Sequence, residues 1–163
     1  MATPTALPST FVASDVLTAA QMNGLRGAFR VLQVVNANSG YGSGFTTSSA
    51  TYASTGLAAT ITPTSTSSKI LILVSQPNRK TTANSATEVV SELYRGTTAV
   101  SGITSTCYTN SALELRLSNS LCYLDSPATV SATTYTMYGA ATSGTASFNF
   151  FSTGYITLME ISA

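Results

Sequence analysis

Residues 31–68 contain no charged side chain, and the stretch is broken at short intervals by clusters of Gly, Pro, Ser, Thr and Asn. Turn signals fall at 36–44 (NANSGYGSG), 62–68 (TPTSTSS) and 75–85 (SQPNRKTTANS), and such clusters mark the ends of short elements. Between them lies TYASTGLAATI (51–61), where Leu57, Ala59 and Ile61 alternate with small polar partners. That period of two is the signature of a strand. KILILVS (69–75) is apolar on both faces from Ile70 to Val74, which predicts a strand covered on both sides, with a neighbouring subunit as the outer cover. Further strands are predicted at 86–95, 97–104, 112–117, 120–125, 129–138, 145–151 and 154–161. Short strands at this spacing, separated by turns, predict an antiparallel β-sandwich or barrel.

One segment breaks the pattern. Residues 1–13 are rich in Pro, Thr and Ala and read as an extended arm, since Pro4 and Pro8 favour extended backbone. Thr18 followed by Gln21 forms a capping box, with Leu17 and Met22 placed to make a hydrophobic staple. Met22, Leu25, Phe29 and Leu32 then recur at intervals of three and four, a seam about two heptads long. Gly24 and Gly27 each weaken such a helix by about 1 kcal/mol relative to Ala. A helix this short is not stable alone in water, so its apolar stripe must dock, either on its own domain or on copies of itself around a symmetry axis. From Val31 the period changes to that of a strand. The predicted organisation is an arm and one short α-helix over 1–35, followed by a β-sandwich head over 36–163.

Charged residues make up only 8% of the chain, with a net charge of +1, against about a quarter in a typical soluble domain. Little electrostatic repulsion keeps such a chain from its copies, so the composition favours a protein that lives in an assembly. The cationic residues are scattered rather than interleaved with aromatics, which argues against nucleic acid as a partner. No apolar run approaches the roughly 18 residues of a membrane span. The opening MATPTALPSTFVAS lacks a positive n-region and does not read as a signal peptide. Cys107 and Cys122 match no metal motif and read as free, buried, small apolar side chains, with a disulfide between them left open because bridge geometry depends on the fold.

The chain has no histidine, which removes the commonest general base and metal ligand. Asp125 and Glu160 stand alone in uncharged stretches and read as hydrogen-bonded structural groups or interface partners rather than as catalysts. Glu88, Glu92, Glu114 and Asp125 single out no carboxylate pair for glycoside hydrolysis. GYGSG (40–44) lacks the ending of a phosphate loop and reads as a turn. Most of the eight tyrosines are expected to bury their rings and pair their hydroxyls. Tyr41, between glycines in a loop, is the candidate for an exposed, receptor-facing aromatic. No catalytic residue, metal or cofactor is expected.

SDVLTAAQMNGLRGAF (14–29) resembles the N-terminal anchor of bacteriophage tail-fibre and related virion proteins. STGLAATITPTSTSSKILILVSQ (54–76), LDSPAT (124–129), TTYTMY (133–138) and GYITLMEISA (154–163) are similar to a recurrent pattern in phage fibre heads. The resemblance covers about two thirds of the chain. It implies a non-enzymatic virion protein, homotrimeric, with a jelly-roll-like head. The arm and helix (Met22, Leu25, Phe29, Leu32) would attach it to other virion proteins and trimerise it. The head would face a host surface glycan or protein, through loops at 38–45, 77–86 and 139–145. Helix and head are adjacent with almost no shaft, which suits a short fibre, a knob, or a decoration protein on tail or capsid. The alternative reading is a carbohydrate-binding adhesive module with no virion role.

Overall fold

The computed structural model describes residues 18–19, 30–81, 87–109 and 113–162. Among these the chain is all β, with eleven strands in two antiparallel sheets. In chain order they are β1 (Val31–Asn38), β2 (Phe45–Thr47), β3 (Ala53–Ile61), β4 (Lys69–Lys80), β5 (Thr87–Arg95), β6 (Thr98–Ala99), β7 (Thr104–Thr109), β8 (Leu115–Asp125), β9 (Thr133–Ala141), β10 (Ala146–Phe148) and β11 (Tyr155–Ile161). The first sheet runs β1-β11-β4-β8, with short β10 and β2 continuing it beside the far end of β4. The second runs β3-β9-β5-β7, with β6 on the end of β5. With the short β2, β6 and β10 set aside, the eight long strands pair first-last-third-sixth and second-seventh-fourth-fifth. That double Greek key is the jelly roll, and the sandwich expected from the strand spacing is what the chain forms.

The strands sit where alternation places them. In β3, Leu57, Ala59 and Ile61 are buried, as read from the sequence. They meet Ile70 and Ile72 of β4, Tyr135 and Met137 of β9, and Ile156 and Leu158 of β11 in one core. Each such aliphatic side chain contributes about 1.5–3 kcal/mol by leaving water. A smaller core of Val89, Ala141, Ala146 and Phe148 lies at the other end. Each strand changes character between the two: Val89–Ser91–Leu93 on β5, and Val74–Gln76–Asn78 on β4. The polar belt is hydrogen-bonded across the sheets. Gln76 Nε2 donates to Thr55 Oγ1 at 2.8 Å, Thr55 Oγ1 donates to the Met137 carbonyl at 2.9 Å, and Asn149 Nδ2 donates to the Thr55 carbonyl at 3.1 Å. Gly139 is required where β9 passes Phe148, since a Cβ there would lie 2.4 Å from the ring.

Four expectations change. The turn expected at 75–85 starts too early, because β4 runs on through Pro77 to Lys80. Proline is tolerated here because the ladder on that side is interrupted. Phe148 pairs Asn78 and Tyr155 pairs Ser75, so residues 149–154 leave the sheet beside Pro77 and no strand there asks for its missing N–H. The two strands expected at 112–117 and 120–125 are one, β8, in which pairing along the whole of β4 overrides the turn preference of Ser118, Asn119 and Ser120. Leu32 lies in β1 at the irregularity between Val31 and Gln33, so the helical seam does not reach it. The strand period read from Val31 is β1, and it is the head boundary placed at Asn36 that moves back to Val31, because β1 pairs with β11 from Val31 onward. Met22, Leu25 and Phe29, with the body of the expected helix and the arm, lie outside the described residues.

Candidate functional site

Registered partners in neighbouring strands share a face, which defines the outer surface of the first sheet. Val34 of β1, Met159 of β11, Leu71 of β4 and Leu124 of β8 form one row across four strands. Val34 is 55% exposed and Leu124 50%. Leu73 and Cys122 continue the apolar character in the next row, beside Asn36 and Thr157. The strand expected to be covered on both faces is thus covered on its inner face only within one chain. Cys122 is free, as expected, but exposed rather than buried, because its register partner Leu73 points outward. The side chain of Cys107 lies outside the described residues.

At the far end of this face, charge and aromatic residues replace aliphatic ones. Arg79 of β4 stands directly opposite Arg116 of β8 and Ser147 of β10. Like charges placed opposite each other are destabilising. Glu114 offsets part of this repulsion by accepting from Arg79 Nη1 at 3.4 Å and from Arg116 Nε at close range. Arg79 Nη2 also donates to Ser147 Oγ at 3.2 Å.

The excursion at 149–154 brings Phe150 and Phe151 over these guanidinium groups. The carbon of Arg79's guanidinium lies 4.6 Å from the Phe150 ring centre and 4.4 Å from that of Phe151, and that of Arg116 lies 3.6 Å from Phe151. The two rings meet edge to face at 4.9 Å. The excursion is built in. Asn149 takes a left-handed φ of 58° and its N–H donates to the Pro77 carbonyl at 2.8 Å. Gly44 leaves room for Phe150, where a Cβ would come within 2.7 Å of the ring. A cleft of about 260 Å³ opens here, with Pro77, Asn78, Leu117, Ser118 and Ser152 completing its wall.

The loop at 39–44 is tied to the same excursion, through Ser39 N–H to the Gly154 carbonyl and Gly154 N–H to Ser39 Oγ, both at 3.0 Å. Tyr41 on that loop is 79% exposed between two left-handed glycines, as its sequence context suggested, and it is not part of the cleft wall. Of the other loops singled out, 77–80 and 139–141 are strand, while 82–86 lies outside the described residues. The Arg79–Arg116–Phe150–Phe151 group was not read from the sequence. The run SFNFF (147–151) was its only signal, and nothing local joins it to residues 79 and 116.

The two isolated carboxylates do hold the fold together. Asp125 accepts from Arg95 Nη1 through both oxygens, at 3.0 and 2.8 Å, and from the Tyr135 hydroxyl at 2.7 Å. Burial, then the Asp125 carboxylate, push the Tyr135 hydroxyl far above its ordinary pKa. Glu160 is buried and accepts from Gln33 Nε2 at 2.6 Å and from the Thr64 N–H and hydroxyl, both at 2.7 Å. Burial raises its pKa, but hydrogen bonds from Gln33 and Thr64 outweigh that and hold it at about 2. Among the described residues, no group of three or more His, Cys, Asp or Glu could hold a metal ion. The opposite sheet's outer face carries Glu88 and Glu92 on β5, near Tyr52, whose pKa is raised by burial and then by Glu92, Tyr94 and Glu88.

No family model matches the chain, and no curated protein matches it. Among solved structures it is similar to the VP2 protein of infectious bursal disease virus in derived T=1 particles, with a TM-score of 0.43 and 9% identity over 78% of this chain and 36% of that one. It is also similar to the T13 particle of the same virus (TM-score 0.41, 8% identity, 79% of this chain and 37% of that one). A third is the virus's Gx strain (TM-score 0.40, 10% identity, 80% and 38%). The chain spans little more than a third of the length of these structures.

Proposed function

We propose that the chain is a non-enzymatic structural subunit of a bacteriophage virion, a short trimeric tail fibre or surface appendage whose jelly-roll head faces the host. The observation that carries the assembly is the apolar row Val34–Met159–Leu71–Leu124, open on the outside of a sheet in a chain of net charge +1. Contiguous exposed apolar surface of this kind marks an interaction site. The occupant is a second copy, because a chain with a net charge of only +1 carries little repulsion to keep its apolar faces apart. Three copies meeting through such a face do so by heterologous contacts, which make a ring when they close. The resemblance of residues 14–29 to fibre anchors supports attachment of the N-terminal segment to other virion proteins.

The test is the mass in solution by light scattering, for the full chain and for Val34→Asp/Leu124→Asp. A mass of three chains falling to one in the variant is the expected result. A monomeric full chain would overturn the reading, and a trimer untouched by the variant would move the interface off this face.

A further inference from the structure

We propose that the cleft between Arg79, Arg116, Phe150 and Phe151 binds a carboxylate carried on a sugar ring, the chemistry of a hexuronate residue in an acidic polysaccharide. The charge balance of the cleft is the first support. Two guanidinium groups stand directly opposite one another and share one carboxylate, Glu114, so one positive charge is left for an anion. Such an arrangement costs stability in the free protein, and a bound carboxylate relieves it.

Donor geometry is the second support. A guanidinium that rests its face on an aromatic ring keeps its in-plane N–H groups for a carboxylate fork. Arg116 stacks on Phe151 and spends its Nε on Glu114. Its two terminal nitrogens make no hydrogen bond to the described residues, and its side chain is 58% exposed. Arg79 is held less exposed behind it, with its Nε unpaired, so the positive charge of the cleft floor is fixed in place. A planar carboxylate meeting the Arg116 fork edge-on would make two parallel charge-assisted bonds.

The walls decide for a sugar over a bare anion. Phe150 is 42% exposed and offers an apolar ring, while the exposed Ser118 and Ser152 lie on the same cleft. A pyranose has the matching division, with C–H groups on one face and hydroxyls around its edge. Apolar walls with a few placed polar groups are the usual construction of a small-molecule site. At about 260 Å³, the cleft takes a single ring, with the rest of the polymer outside. The inference does not depend on trimerisation, because the cleft is formed within one chain.

Titration calorimetry on the full chain tests it, with galacturonate and glucuronate trisaccharides, a neutral galactose trisaccharide and inorganic phosphate as probes. At least one uronate should bind, with the neutral sugar weaker by at least about tenfold, the value of one charge-assisted hydrogen bond. Arg116→Met should weaken the uronate by a similar factor without lowering the thermal midpoint, and Phe150→Ala should weaken it without altering binding of phosphate. No binding by either uronate, or equal binding of acidic and neutral sugars, overturns the proposal. Phosphate binding as tightly as the uronate overturns the sugar and leaves a plain anion site. Uronate binding that survives Arg116→Met overturns the location. Light scattering on the same samples separates this outcome from the assembly reading, since Val34→Asp/Leu124→Asp should keep the binding while losing the trimer.

Discussion

At the scale of single residues, the informative side chains are the rare charged ones. Glu160 is the only acid between Asp125 and the end of the chain, and it joins β11 to β1 through Gln33 and to the β3–β4 connection through Thr64. Its pKa in the folded chain, about 2, lies below the ordinary 4.5. A lowered acid stabilises the fold fully above its unfolded pKa, and that contribution drains as pH falls through 4.5 toward 2. Denaturant midpoints should therefore drop across that window, and Glu160→Gln should flatten the drop. At pH 7 the substitution should cost about 2 kcal/mol, since the Gln33 and Thr64 donors then meet a neutral amide in place of a carboxylate. An unchanged pH profile in the variant would show that other carboxylates carry the acid sensitivity. Asp125 holds the fold by contacts: one carboxylate serves Arg95 and Tyr135, which accounts for a buried acid at the end of β8.

At the scale of elements, the strands are set by partners as much as by their own residues. β8 is continuous because β4 offers it register from Lys80 to Ile70. β10 and β11 are separated because 149–154 is held out of the sheet by Asn149 and by glycines that admit its neighbours. The tightest of these fits is Gly139 of β9 against Phe148 of β10, which ties the two sheets together in the smaller core. Gly139→Ala should cost about 1–3 kcal/mol by overpacking. It should appear as a lower urea midpoint at unchanged slope. A neutral result would mean that Phe148 has room to move that the packing around it denies.

At the scale of the whole molecule, the jelly roll places the first and last strands side by side, so the residues flanking them, Arg30 and Ser162, meet and are joined by hydrogen bonds at 2.9 Å. Residues from Arg30 onward contain every strand of both sheets. A chain starting at Arg30 should therefore keep the far-ultraviolet circular dichroism of a β protein and a cooperative thermal transition. A chain starting at Asn36 loses Val31–Val35, including the Gln33 bond to Glu160 and the inward Val35, and should melt lower or fail to fold. Equal stability of the two would make β1 dispensable.

Alternation and turn residues were enough to read an all-β sandwich, most strand positions, the buried face of β3, the structural roles of Asp125 and Glu160, and the exposed Tyr41. Those are properties of local periodicity and of isolated charges in apolar surroundings, which a chain displays before it folds. Pro77 within a strand, the fusion of two expected strands into β8, the inclusion of β1 in the sandwich and the outward turn of Cys122 depend on which strand lies alongside, and hydrogen-bond register is a long-range property. The same reason hides the Arg79–Arg116–Phe150–Phe151 cleft, whose parts come from β4, β8 and an excursion between β10 and β11. Only the closing of the jelly roll brings them within reach of one another.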